Sequence, residues 1–438
     1  MPLTFALTIA LVASSPASRT APEIKPTEMV IRLNVQPMAA PKPALRYLLL
    51  PELKEMTSGN PIEGYLQCLL DQEFSAQKEF LDKSALRLAD RAARMDIPDW
   101  QILLNARNEG INLLLPDVQK IRMIGASLQE RFRSEIALGQ FDDGIVTAKT
   151  MFAIARHMGE HPTLIGDLVG IAIAHLAFSP LEEMLEKPGC PNLYWALTNL
   201  PHPLVPLGRG MEGERLIAQT ELRDLDETAP MTPTQLKKLI EHIDKLRDYD
   251  EGSRKIKTRT WLNERTKDPV LLMAARGRLV EYGIPEERLL KFPADQIILL
   301  DEKREFEERR DEVMKLMNLP TWQVEGLFKE MKPKKESILL GLLDSAIQKV
   351  RRAQGRVEMR IGLLRHIEAL RLFAAEHKGQ LPEKLTDISV PLPVDPFTGK
   401  PFRYKLEGAT AHLRGTPPPG AEEIPAYNLH YEITIRKE

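Results

Sequence analysis

The residues with the clearest chemical potential are His157-Met158-Gly159-Glu160-His161. On a continuous helix, histidines four positions apart share one face. Both imidazoles can then hold a zinc ion while the glutamate between them polarises water. Gly159 interrupts this segment and Pro162 follows it directly. The sequence therefore places these histidines at a helix C-terminus, where the helix dipole alone favours them. A third ligand cannot be singled out among 62 acidic side chains. A metal-dependent hydrolase using His157, Glu160 and His161 stands as the alternative reading. No catalytic, cofactor-binding or metal-ligating residue is assigned, and no cofactor is implied.

Other constellations are weaker. Tyr194-Trp195, inside a proline-bounded segment, offers either an aromatic recognition surface or core packing at a helix junction, and packing is the expectation. Asp248-Tyr249-Asp250-Glu251-Gly252 lacks the ligand ladder of a calcium loop. Lys332, Lys334 and Lys335, with Arg351, Arg352 and Arg356 beyond them, are expected to form a solvated helix face rather than a site for an acidic partner. Thr398-Gly399-Lys400 has neither the upstream glycine nor the following helix of a phosphate loop, and no Gly-x-Ser-x-Gly elbow occurs. Cys68 and Cys190 could pair in an oxidising compartment or stay as separate thiols.

These residues are carried by a chain of 438 residues with 60 basic and 62 acidic side chains and a net charge of -2. Near-neutrality excludes a protein that coats nucleic acid, and 43% hydrophobic content excludes wholesale disorder. Two cysteines exclude a disulfide scaffold and a multi-cysteine metal module. Leu3 to Ala13 is an apolar run followed by small residues, which predicts a signal peptide over 1–17 and a periplasmic or secreted protein. No transmembrane segment is expected after cleavage, since Gly170 to Phe178 is interrupted by His175.

Four further regions follow. Residues 18–61 are proline-punctuated and extended, with one edge strand at Val30 to Val35. Residues 62–205 and 206–335 carry helical apolar spacing, and Thr232-Pro233-Thr234-Gln235 has the composition of a capped helix start. Region 336–438 opens with a long helix from Ser337 to His377. Arg351, Arg352, Arg356, Arg360, Arg365 and Arg371 flank its apolar stripe. A hairpin then turns at Glu407-Gly408, and a half-buried strand alternates Leu429, Tyr431, Ile433 and Ile435 with His430, Glu432, Thr434 and Arg436. The predicted fold is mostly α, helical hairpins or a bundle, with a small C-terminal α+β module of one long helix and an antiparallel sheet.

Glu368 to Phe373, His377 to Leu385 and Pro393-Val394-Asp395-Pro396-Phe397-Thr398-Gly399-Lys400-Pro401-Phe402-Arg403-Tyr404 carry a resemblance. This C-terminal module resembles the globular head of type II secretion major pseudopilins. In physical terms Asp395 can accept backbone amides across the loop and Gly399 can turn it, after which Phe402 and Tyr404 alternate onto the helix. The pseudopilin processing site is missing, and Thr416-Pro417-Pro418-Pro419-Gly420 replaces its calcium loop, so polymerisation is not implied. The whole chain, through Pro191-Asn192-Leu193-Tyr194-Trp195-Ala196-Leu197-Thr198-Asn199-Leu200-Pro201 above all, resembles a family of exported bacterial helical proteins, a likeness that carries no activity with it. The expected role is a non-catalytic structural or protein-interaction component outside the cytoplasm. Its partners would be other extracytoplasmic proteins and not nucleic acid. An accessory part of a secretion or pilus-like system is a further alternative.

Overall fold

The computed structural model describes residues 28–73, 81–248, 256–330, 337–339 and 341–436. The expected signal segment, the Lys332 to Lys335 cluster and most of the Asp248 to Gly252 turn lie outside these residues. The first helical group comprises α1 (Pro61–Glu73), α2 (Lys83–Ala92), α3 (Leu103–Glu109), α4 (Pro116–Ala137), α5 (Phe141–Met158), α6 (Leu164–Leu185), α7 (Tyr194–Thr198) and α8 (Gly208–Glu221). The second comprises α9 (Pro233–Asp248), α10 (Thr258–Thr266), α11 (Pro269–Glu281), α12 (Glu286–Leu289), α13 (Ala294–Leu316) and α14 (Thr321–Glu330). The long helix α15 spans Gly341–Glu376. The strands are β1 (Met29–Val35), β2 (Arg403–Glu407), β3 (Thr410–Arg414) and β4 (Leu429–Ile435).

Local signals explain several boundaries. At the start of α9, the Gln235 amide donates to Thr232 Oγ1 and the Thr232 amide donates to Gln235 Oε1, a reciprocal capping box. Thr163 caps α6 by accepting from the Gly166 amide. That helix is predominantly apolar and, by length and composition, long enough to cross a membrane, but two-thirds of its apolar window is buried inside the protein. It packs between α4 and α5 as a core helix, with α15 and α8 on its remaining sides.

Two large apolar cores result among the described residues, beside a small cluster of Tyr194, Ala369 and Leu372. One joins α1, α2, α4, α5 and α6 with α15 and the sheet; the other lies within residues 222–339 and is built from α9 to α13.

The sheet has the order β1-β4-β3-β2. Strands β2, β3 and β4 are antiparallel as expected, but β1 pairs parallel with β4, from Met29 opposite Leu429 to Val35 opposite Ile435. The sheet is therefore mixed and not purely antiparallel. The N-terminal segment supplies an edge whose partner is about the whole chain away, so no local turn sets its direction.

The arginines of α15 also depart from expectation. Arg351, Arg365 and Arg371 are buried, because the helix is enclosed by α6, α7, α14 and the sheet. Arg352 makes a two-pronged pair with Glu325 at 2.8 Å, and Arg360 another with Glu182 at 2.7 and 2.9 Å. Arg356 lies over the Tyr427 ring, 5.1 Å from its centroid. On the sheet side, Gly362 and Gly355 let Phe402 and Phe397 approach the helix. A Cβ on Gly362 would sit 3.0 Å from the Phe402 ring, and one on Gly355 only 2.8 Å from Phe397.

The tightest knot is Glu368 with Arg371, one helical turn apart and with both side chains fully buried, joined at 2.8 Å. Glu368 also accepts from the Asn192 amide nitrogen and the Leu193 backbone, each at 2.8 Å. Arg371 donates to the carbonyls of Cys190 (2.7 Å), Pro191 (3.3 Å) and Gln36 (3.0 Å). Breaking a buried, hydrogen-bonded pair by removing one partner leaves an uncompensated charge. Glu368→Ala is expected to lower stability by about 3–5 kcal/mol in urea unfolding followed by circular dichroism, with Glu368→Gln costing less because it still accepts from Leu193.

Candidate functional site

The H-x-x-E-H residues do not share a helix face. Helix α5 ends at Met158, with Gly159 as its C-cap, and His161 lies in the turn beyond. A Cβ on Gly159 would sit 2.6 Å from Pro206 Cδ, so the close crossing of the 204–207 segment ends the helix there. His157 Nδ1 lies 2.8 Å from the Tyr65 hydroxyl of α1. His161 Nδ1 lies 2.9 Å from Thr163 Oγ1, and its ring meets Trp100 edge to face with centroids 4.5 Å apart. Glu160 instead reaches Arg209 at 4.0 Å, on the solvent side. Burial pushes both imidazoles down to about 4, so both are neutral at pH 7. Each ring serves as a buried hydrogen-bonding wedge between elements.

Nearby Asp167, in the first turn of α6, is fully buried against Gly210 of α8, and neither carboxylate oxygen has a protein hydrogen-bond partner. Burial, then Glu214 and Glu160, hold its carboxyl well above the ordinary range. Glu214 accepts from the Leu164 amide at 3.1 Å and is itself raised by burial.

The remaining expected residues have structural settings. Tyr194 is fully buried and stacks edge to face on Trp195, 5.0 Å between centroids, as expected for core packing. Cys68 and Cys190 are separate buried thiols, each pushed up to about 12 by desolvation. Asp395 accepts from the backbone amides of Phe397 at 2.9 Å and Thr416 at 2.8 Å, closing the loop before β2. A cleft of about 450 Å³ beside the ends of α4 and α6 is lined by Arg133, Glu183, Glu186, Lys187 and Arg436. Its Arg133 is already paired with Glu183 at 3.1 Å.

Two further features were not singled out from the sequence as sites. The first lies on the sheet face turned away from α15. His412 Nδ1 and His430 Nε2 are 3.0 Å apart, and His430 Nδ1 is 3.0 Å from Glu28 Oε2. His412 Nε2 is 3.6 Å from Glu407 Oε2. Among the described residues, His412, His430 and Glu432 are the one group of three whose potential ligand atoms all lie within 4.8 Å of one another. The alternation along β4 placed His430 and Glu432 on one face. The register that brings His412 opposite Glu432 needed the folded sheet.

The second is α11. Ala275 and Leu279 turn into the second core, while Val270, Met273, Gly277 and Val280 form an uncharged outer stripe. Val270 is 67% exposed and Met273 70%.

No family model, curated protein or solved structure matches the chain.

The buried histidines fix a pH dependence. Their folded-state values lie below the ordinary 6.5, so neutral burial contributes stability above pH 6.5 that is lost as pH falls toward about 4. Unfolding free energy measured at pH 7, 6 and 5 is expected to fall, and His157→Gln or His161→Gln to flatten that slope by up to about 1.4 kcal/mol per pH unit.

Proposed function

We propose that this chain is a non-catalytic protein-interaction component working outside the cytoplasm, with the outer stripe of α11 as its main contact surface. The observation that carries this reading is the uncharged, exposed row Val270, Met273, Gly277 and Val280. Its spacing of three, four and three is that of a helix seam that meets another helix. Among the described residues, and apart from its chain neighbours and its own helix backbone, nothing lies within 4 Å of where a Gly277 side chain would begin, so the glycine leaves room for close approach from outside. The residues most suited to hydrolysis, His157, Glu160 and His161, are divided among Tyr65, Arg209 and Thr163, which supports a non-catalytic role.

Location outside the cytoplasm rests on the apolar run at Leu3 to Ala13 and the small residues after it. The narrower reading, an accessory part of a secretion or pilus-like system, draws on the likeness of the Asp395 loop and its helix to pseudopilin heads. A photo-crosslinker placed at position 273 in native cells tests both. The expected product is an adduct with another exported protein, lost when Val270→Glu is added without a change in melting temperature. Adducts with cytosolic proteins alone, or a yield unchanged when Val270 and Val280 are also made acidic, would sink the reading. Pilus or secretion proteins among the adducts would favour the narrower form.

A further inference from the structure

We propose that the outer face of the C-terminal sheet binds one zinc ion through His412 Nδ1, His430 Nε2 and a carboxylate oxygen of Glu432, with Glu28 and Glu407 orienting the two rings. The two nitrogens face each other at 3.0 Å. Tetrahedral zinc with bonds of about 2.0–2.1 Å separates two ligand nitrogens by roughly 3.3 Å, so the rings need only a few tenths of an ångström to admit the ion. Both sit on regular strands, which hold them in register with Glu432 directly opposite His412. Side chains on strands keep such geometry better than those on loops.

The outer ring nitrogens are as informative as the inner ones. His430 Nδ1 lies 3.0 Å from Glu28 Oε2, and because an ionised carboxylate only accepts, that nitrogen carries the hydrogen. The lone pair of a neutral His430 is then on Nε2, directed at His412. His412 must donate across the 3.0 Å contact from Nδ1, while its Nε2 faces Glu407 at 3.6 Å. Zinc takes the His412 Nδ1 position as that hydrogen passes through solvent to Nε2, the nitrogen facing Glu407. The outer His430 N–H keeps its bond to Glu28. A ligating histidine whose second nitrogen is bonded to a carboxylate is the usual support of a zinc site.

Glu432 can serve without losing its present partner. Its Oε2 accepts from Arg32 Nε at 2.8 Å, and the Arg32 side chain is 76% exposed, so this surface pair does little to resist a metal. Two nitrogens and one oxygen suit a borderline divalent ion such as zinc, and they leave a fourth position for water. The ion would also act as a staple. Glu28 precedes β1, whereas the ligands lie on β3 and β4, so the site ties the N-terminal edge strand to the hairpin through His430.

Zinc chloride titrated calorimetrically into tag-free, chelator-treated full-length protein tests this. One zinc per chain is expected, with a rise in melting temperature, since the ion binds the folded state alone. Cobalt(II) in its place should give the visible bands of a four-coordinate site. His412→Ala and Glu432→Gln should each weaken zinc, His412→Ala by more than about 100-fold, and Glu28→Gln by about 10-fold or more. His242→Ala, in the second helical group and partly exposed, should bind zinc as the parent does. Metal-free melting curves establish that each variant is folded; His412 and Glu432 are partly exposed, so at least these two report on a folded chain. No saturable zinc binding by the parent protein, or parental affinity in His412→Ala, overturns the proposal.

Discussion

The architecture depends on one buried ion pair, Glu368 with Arg371, in the C-terminal part of the long helix α15. Two charges removed entirely from water are tolerable only when every remaining lone pair and hydrogen is engaged. Here the partners come from far along the chain: the carbonyl of Gln36, the carbonyls of Cys190 and Pro191, and the amides of Asn192 and Leu193. The Met38 amide also donates to the Arg371 carbonyl at 3.1 Å. Satisfying the pair thus fixes where the N-terminal segment leaves β1 and where the 190–194 loop crosses α15. Tyr194, beside that loop, then packs with Ala369 and Leu372.

The same logic recurs along α15. Glu182 on α6 receives both prongs of Arg360, and the Tyr431 hydroxyl of β4 donates to it as well. One carboxylate therefore joins a core helix, the long helix and the central strand of the sheet. The near-zero net charge reflects this arrangement in part, since several arginines and glutamates neutralise one another inside the protein. Helix α13 is more conventional. Arg278–Asp301 and Lys303–Glu227 form part-buried pairs, and Glu302 turns fully inward to accept from the Ile338 and Leu339 amides.

What could be read from sequence divides along the range of the interactions. The capping box at Thr232 and Gln235, the β2–β3 hairpin and the alternation of β4 are decided by neighbours a few residues apart, and they were legible. The parallel partnership of β1 with β4 was not, because it joins residues about 400 positions apart. The arginines of α15 were misread for a related reason. A helix enclosed on all sides has no polar face, so its charged residues follow the positions of distant carboxylates rather than of water. The His157 motif shows the converse case, in which correct spacing met a helix end that Gly159 and Pro162 had already announced.

Cost and placement together separate structural polar groups from functional candidates in this fold. His157 and His161 are neutral and enclosed, and their bonds to Tyr65 and Thr163 join helices or cap one. Such groups give stability and specificity of packing, and removing them damages the fold before any chemistry. The His412–His430 pair differs, since it lies on the sheet face away from the core, with His430 buried and His412 partly exposed, and that face does not require two imidazoles aimed at each other. Apolar or β-branched residues at these positions would stabilise the strands at least as well. A costly arrangement on a face that the core does not need is where a role beyond folding is to be sought. The stripe of α11 stands out from the opposite direction, because it leaves apolar side chains in water on a face that the second core does not use.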